Sequence, residues 1–302
     1  VNADGQTLQY SVNTSLGTVQ SPASFMGAWS AGGNMILGRA ASAGAGTQNA
    51  ALAAGGYIAP AQYSTVEEYN GSTWSNETAL GTARHRFGGA GSQNAAVVAG
   101  GVSKTCTELY NGSSWSAGGA MITATYSQAF AGVQQAVISA FGGNPGVTAA
   151  TQLWNGASWS TGNSGNTARN DTSGMGTVNN TLAMGGNNGS SLVTCSELYD
   201  GTTWSNWVPI LTARSNLNAT GNTSNGLNFF GGSPTVVNCV EEWNGISFVH
   251  SCNANFATRC RVGVGSQSAA LAAGGYDASA LTELYTKDFI SPYTTCVWTG
   301  GA

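Results

Sequence analysis

Six times along its 302 residues the chain runs through a short stretch of small apolar residues and ends it on two glycines. The pairs are Gly55-Gly56, Gly100-Gly101, Gly142-Gly143, Gly185-Gly186, Gly231-Gly232 and Gly274-Gly275, at steps of 45, 42, 43, 46 and 43 residues. So regular a period constrains the fold more than any single motif, because a unit of that size cannot bury its apolar face alone and must pack on its neighbours. The stretches themselves, such as NAALAAGG at 49–56 and SAALAAGG at 268–275, have strand length and glycine boundaries. They predict strands buried on both faces.

A second anchor follows the first five pairs: an acid or amide, an aromatic two residues later, Asn-Gly or Asp-Gly, and a final aromatic. Glu67/Tyr69/Trp74, Glu108/Tyr110/Trp115, Glu197/Tyr199/Trp204 and Glu241/Trp243/Phe248 carry it, and Gln152/Trp154/Trp159 is the third copy. Asn70-Gly71, Asn111-Gly112, Asn155-Gly156, Asp200-Gly201 and Asn244-Gly245 tolerate the positive φ that a tight hairpin turn requires. Each unit therefore reads as four short antiparallel strands. The chain is predicted to be all-β, a six-bladed β-propeller over 23–288, with 1–22 a linker or attachment segment and 289–302 a tail. The sixth unit keeps Glu283 and Tyr285 but has no Asn-Gly turn and no fourth strand in the expected place. Trp29 stands where the fourth-strand Trp of a preceding blade belongs, so the amino-terminal strand is expected to complete the last blade. Trp298 is the competitor.

Comparing the units exposes a pair that one copy hides. Ten residues after each opening Trp come Arg39, Arg84, Arg169 and Arg214, and Arg259 lies eleven after Phe248; the remaining unit has Thr125. That unit is also the one with Gln152 in place of glutamate. Removing one partner of a buried ion pair strands a charge, whereas replacing both is often neutral. The expected structural pairs are therefore Arg39 with Glu67, Arg84 with Glu108, Arg169 with Glu197, Arg214 with Glu241 and Arg259 with Glu283. Cys106, Cys195 and Cys239 repeat at one position and read as free, small, buried residues. Cys252 and Cys260 fall outside the pattern, and their spacing admits a disulfide, with Cys296 the alternative partner.

Charged residues make up 7% of the chain, against roughly 25% in an average domain. The net charge of -4, without a basic run, leaves no footprint for nucleic acid, and no apolar run is long enough to insert into a membrane as a helix. His85 and His250 lack a third ligand, and no Cys-x-x-Cys occurs, so no metal and no cofactor is expected. No nucleophile elbow is present; Asp171, Asp277 and Asp288 are the unassigned carboxylates, and no catalytic residue is named. Strand alternation sends the second-to-third and the blade-to-blade connections to one face and the Asn-Gly hairpins to the other. The connections vary in length, and recognition is usually carried on such loops. The ligand-binding candidates there are Tyr57, Tyr63, Lys104, Asn144, Asn187, Asn188, Tyr276 and Asp277.

The glycine pair after an apolar strand, the downstream Tyr, the later Trp and the repeat length resemble the kelch motif over about 29–285. The uniform turn strings are similar to kelch-type arrays of bacteriophages, marine ones in particular, and ADGQTLQYSVNTS at 3–15 resembles segments of phage tail and fibre proteins. The resemblance implies a noncatalytic virion protein of a tail, fibre or capsid appendage. Its expected partners are other virion proteins, copies of itself, and a host-surface glycan or protein. A secreted carbohydrate-active enzyme or a bacterial surface adhesin on the same scaffold is the alternative.

Overall fold

A computed structural model describes residues 27–287; the expected segment 1–22 and tail 289–302, with Asp288, Cys296 and Trp298, lie outside the described residues. Within it the chain forms six four-stranded antiparallel sheets. Blade 1 comprises Ala43–Thr47, Ala50–Ile58, Ala61–Tyr69 and Trp74–Glu77, in that order from the axis outward. Blade 2 begins with Gly88–Ser92, blade 3 with Ala129–Val133, blade 4 with Ser173–Thr177, blade 5 with Asn218–Gly221 and blade 6 with Val262–Gly265. Each of these innermost strands packs against the next, and the last against the first, so the six sheets close into a propeller. The period-two pattern is broken in the second strands, where Ala51 to Ala54 and Ala96 to Ala99 are buried on both faces between neighbouring sheets.

The glycine pairs are where one blade is tied to the next. The N–H of Gly56 donates to Arg84 O, Gly101 to Thr125 O, Gly142 to Arg169 O, Gly186 to Arg214 O, Gly231 to Thr258 O and Gly275 to Arg39 O, at 2.7–3.1 Å. All six donors have φ between 102° and 131°, a conformation that favours glycine, and a Cβ on Gly56 would meet Ser42 Oγ at 2.4 Å. The residue before each donor is also left-handed, and in blades 3 and 5 it is Phe141 and Phe230. The structural pairs there are thus Phe141-Gly142 and Phe230-Gly231, one residue earlier than the sequence pairs.

Behind five of the six links lies a buried carboxylate. Glu67 takes the Arg39 guanidinium and the N–H groups of Ile36 and Leu37, at 2.7 and 3.2 Å. Glu197 binds Arg169 with the N–H groups of Asn166 and Thr167, and Glu241 binds Arg214 with those of Leu211 and Thr212. Glu108 binds Arg84 at 2.6 Å and the N–H of Gly81. One carboxylate thus fixes both the arginine and the loop that enters the blade. In blade 3 the Gln152 amide does the same without charge: Oε1 accepts from Thr123 N at 3.1 Å, and Nε2 donates to Thr125 Oγ1 at 3.2 Å.

Blade 6 departs from the expected pairing. Glu283 binds Arg261, not Arg259. The Gly231 link lands on Thr258, ten residues after Phe248, so Thr258 occupies the position that arginine holds in four other blades. Arg261 supplies the guanidinium from three residues further along. Cys252 and Cys260 are free thiols, not a disulfide; the first donates to Gly27 O and the second to Asn216 Oδ1. Cys106, Cys195 and Cys239 are likewise free and half-buried.

The amino-terminal strand Ala28–Ala31 pairs antiparallel with Thr282–Thr286 and completes blade 6 from outside. Trp29 packs there against Phe229, Phe230 and Tyr285, with ring centroids 5.3–5.7 Å apart. Glu242 of blade 5 receives Lys287, the Tyr285 hydroxyl at 2.6 Å and the Ser251 hydroxyl at 2.7 Å. Burial alone would raise the Glu242 pKa, but these donors outweigh it and hold the carboxyl below its ordinary 4.5.

Two outcomes follow from these pairs. Arg169→Thr alone, which strands Glu197, costs about 3–5 kcal/mol in urea unfolding, whereas Arg169→Thr with Glu197→Gln, a copy of the blade 3 pair, recovers most of it. For the closure, a lowered carboxyl contributes stability that is fully present above its unfolded value and lost as pH falls through its lower folded value. Glu242→Gln therefore melts below wild type at pH 7, and the gap narrows as the pH is taken to 3.

Candidate functional site

The residue two positions after the arginine site is left-handed in every blade without being glycine. Ala41, Arg86, Ser127, Asp171, Asn216 and Cys260 have φ between 51° and 58°. Such residues cost of order 1–3 kcal/mol each and persist only where their surroundings over-determine them. Here the turn aims each N–H sideways at the neighbouring blade. Arg86 donates to Ala41 O, Ser127 to Arg86 O, Ala41 to Cys260 O and Asn216 to Asp171 O, all at 2.8–2.9 Å, and Cys260 to Asn216 O at 3.3 Å. Among the described residues the sixth link, Asp171 to Ser127, is not made. At that gap Arg86 of blade 2 reaches past blade 3 to Asp171 of blade 4, Nη1 to Oδ1 3.6 Å.

This collar divides an axial channel. Below it is a throat of about 180 Å³, and at the hairpin face a mouth of about 130 Å³ lined mainly by glycine and alanine. Above it, on the loop face, opens a funnel of about 890 Å³. The funnel wall comes mainly from five of the six collar residues, from the residue just before most of them, and from the residue after four of the glycine links. Tyr57, Tyr126 and Tyr276 stand on it with His85, Arg259 and Asn144. Tyr57 stacks on His85 with centroids 4.9 Å apart, Tyr126 donates to Pro145 O at 3.2 Å, and the Arg259 guanidinium lies over the Tyr276 ring at 4.4 Å.

Electrostatically the funnel differs from the rest of the chain. Burial, then the nearby Arg86 charge, lowers the His85 pKa, which keeps the imidazole neutral at neutral pH. Burial pushes the Cys260 thiol up to about 11, with Arg86 and Arg259 pulling it down and Asp171 raising it, so this thiol is protonated and unreactive. Asp171 is the one carboxylate on the funnel wall among the described residues.

Of the residues expected to bind ligand, Tyr57, Asn144 and Tyr276 are brought together on this wall. Tyr63 lies elsewhere, paired with Gly56 in the third strand of blade 1. The Lys104 N–H closes a turn onto Gly101 O. Asn187 Oδ1 accepts from Gly189 N, and Asn188 Oδ1 from Ser190 and Ser191 N, so both side chains are engaged in building their own loop. The Asp277 side chain lies outside those described. The sequence reading missed Arg86, Tyr126 and Asp171 as a set and had assigned Arg259 to the core. Their signal was present: the two residues after the arginine position differ in all six units, Ala40-Ala41, His85-Arg86, Tyr126-Ser127, Asn170-Asp171, Ser215-Asn216 and Arg259-Cys260.

The reassignment has a measurable consequence. Arg259→Met leaves the unfolding free energy within about 0.5 kcal/mol of wild type, as a substitution outside the core does. Arg261→Met strands Glu283 and costs about 3–5 kcal/mol by the same urea titration.

No protein-family model matches the chain, and no curated protein matches its sequence.

Proposed function

We propose that the protein is a noncatalytic binding propeller whose funnel recognises a glycan on a host surface, in the setting of a phage tail, fibre or capsid appendage. The observation that carries the reading is the funnel itself: three tyrosines, a neutral histidine, amides and hydroxyls around one concavity, on a scaffold that buries five of its seven arginines against glutamates. Ligand sites are concave, aromatic-lined and furnished with a few placed polar groups, and flat rings offer contact area at small entropic cost. The virion setting rests on the likeness of the repeats and of segment 3–15 to phage proteins, and it makes other virion proteins the expected neighbours. A binding role is favoured over hydrolysis because glycoside hydrolysis ordinarily uses two carboxyl groups, and the described funnel wall carries Asp171 alone, already facing Arg86.

A glycan array, followed by calorimetry on the strongest binders and an assay for released sugar, tests the reading. Binding without product is expected, and Tyr57→Ala and Tyr276→Ala each weaken it roughly tenfold, the order of loss when an aromatic anchor is truncated. Turnover, or binding indifferent to both variants, overturns it.

A further inference from the structure

Seven arginines occur in the chain, and five of them sit in the buried core facing Glu67, Glu108, Glu197, Glu241 and Glu283. The other two, Arg86 and Arg259, are both on the funnel wall. They are held differently. Arg86 shares the single aspartate at 3.6 Å and spans the gap in the collar. Arg259 meets no carboxylate among the described side chains and is supported from one side by the face of Tyr276. A guanidinium stacked on a ring keeps its edge of N–H donors free, and that edge matches the two oxygens of a carboxylate. Among the described side chains of the funnel wall, two guanidinium groups stand against one carboxylate, in a chain whose net charge is -4.

We propose that the funnel's ligand is an acidic sugar, and that its carboxylate is clamped by the free edge of Arg259 while its ring lies against the tyrosine faces. This deepens the glycan-binding reading and rests on it. Arg259 is the specificity determinant, and Tyr276 is its positioning residue, since the stack sets the plane of the guanidinium. The paired, parallel N–H bonds of the fork match the two oxygens of a carboxylate. Asp171 offsets part of the Arg86 charge, whereas Arg259 faces no carboxylate among the described side chains, so the anion is drawn to blade 6.

The test uses the chain with uronate oligosaccharides, their carboxyl-reduced neutral counterparts, sialylated glycans and sulfated glycans on one array, with affinities from calorimetry at low and physiological salt. Carboxylated sugars are expected to bind at least about tenfold more tightly than their reduced counterparts, the scale of one charge-assisted bidentate contact. Arg259→Met should erase that preference while the melting temperature stays as it was, and Arg259→Lys should restore only part of it. Equal affinity for acid and reduced forms, a preference for sulfate over carboxylate, or a preference that survives Arg259→Met overturns the proposal and leaves glycan binding standing. Absence of binding to every glycan overturns both.

Discussion

Each sheet is oriented by a carboxylate, or in blade 3 a carboxamide, placed where water does not reach. Such a group is expensive unless all its neighbours are donors. Glu67 shows how the cost is met: a guanidinium on one side and two successive backbone N–H groups on the other. The arginine belongs to the chain just before the innermost strand and the glutamate to the third strand, so one cluster fixes strand spacing and the incoming loop together. The same arginine's carbonyl then accepts from the glycine of the blade before. Side chain and main chain of a single residue thereby define a blade internally and place it beside its neighbour.

That economy explains which parts of the fold were readable beforehand. Strand count, hairpin turns and closure by Trp29 follow from strict spacings that a ladder or a turn enforces. The misread points are those where residue type was allowed to outweigh spacing. The interval from outer-strand aromatic to the residue whose carbonyl takes the glycine link is ten in all six blades; arginine fills that place in four, Thr125 in blade 3, and at ten from Phe248 stands Thr258. Preferring the adjacent Arg259 kept the charge and lost the register, while the true partner, Arg261, comes from a position where the pattern asks for no charge. Blades 3 and 5 repeat the lesson: what recurs is a pair of left-handed residues, and phenylalanine can fill the first place, so aligning on visible glycines slides those blades by one. Phe141 is held there partly by the Arg169 guanidinium, 3.8 Å from its centroid, a contact that no local pattern announces.

The site was less legible than the fold for a related reason. The loop candidates lie on connections that vary in length, yet Asn187 and Asn188 are engaged as turn builders. What reaches the funnel is decided by the collar, whose unusual backbone turns neighbouring side chains toward the axis. Six copies of that turn, with six different residue pairs on them, make a constant frame that displays a variable wall. The physics that specifies the frame is indifferent to the wall, which is why six blades of repeated sequence constrain it so little.

Ala28 lies opposite Thr286 in the closing ladder. The polypeptide therefore comes into the disc and departs from it at a single place on the rim of blade 6. Drawn apart at residues 27 and 287, that ladder would yield by peeling, one rung after another, the weakest way to load paired strands. Gathered into one anchor, the same two points carry no opposing pull, and mechanical load on the funnel passes to the rim through the welded blades.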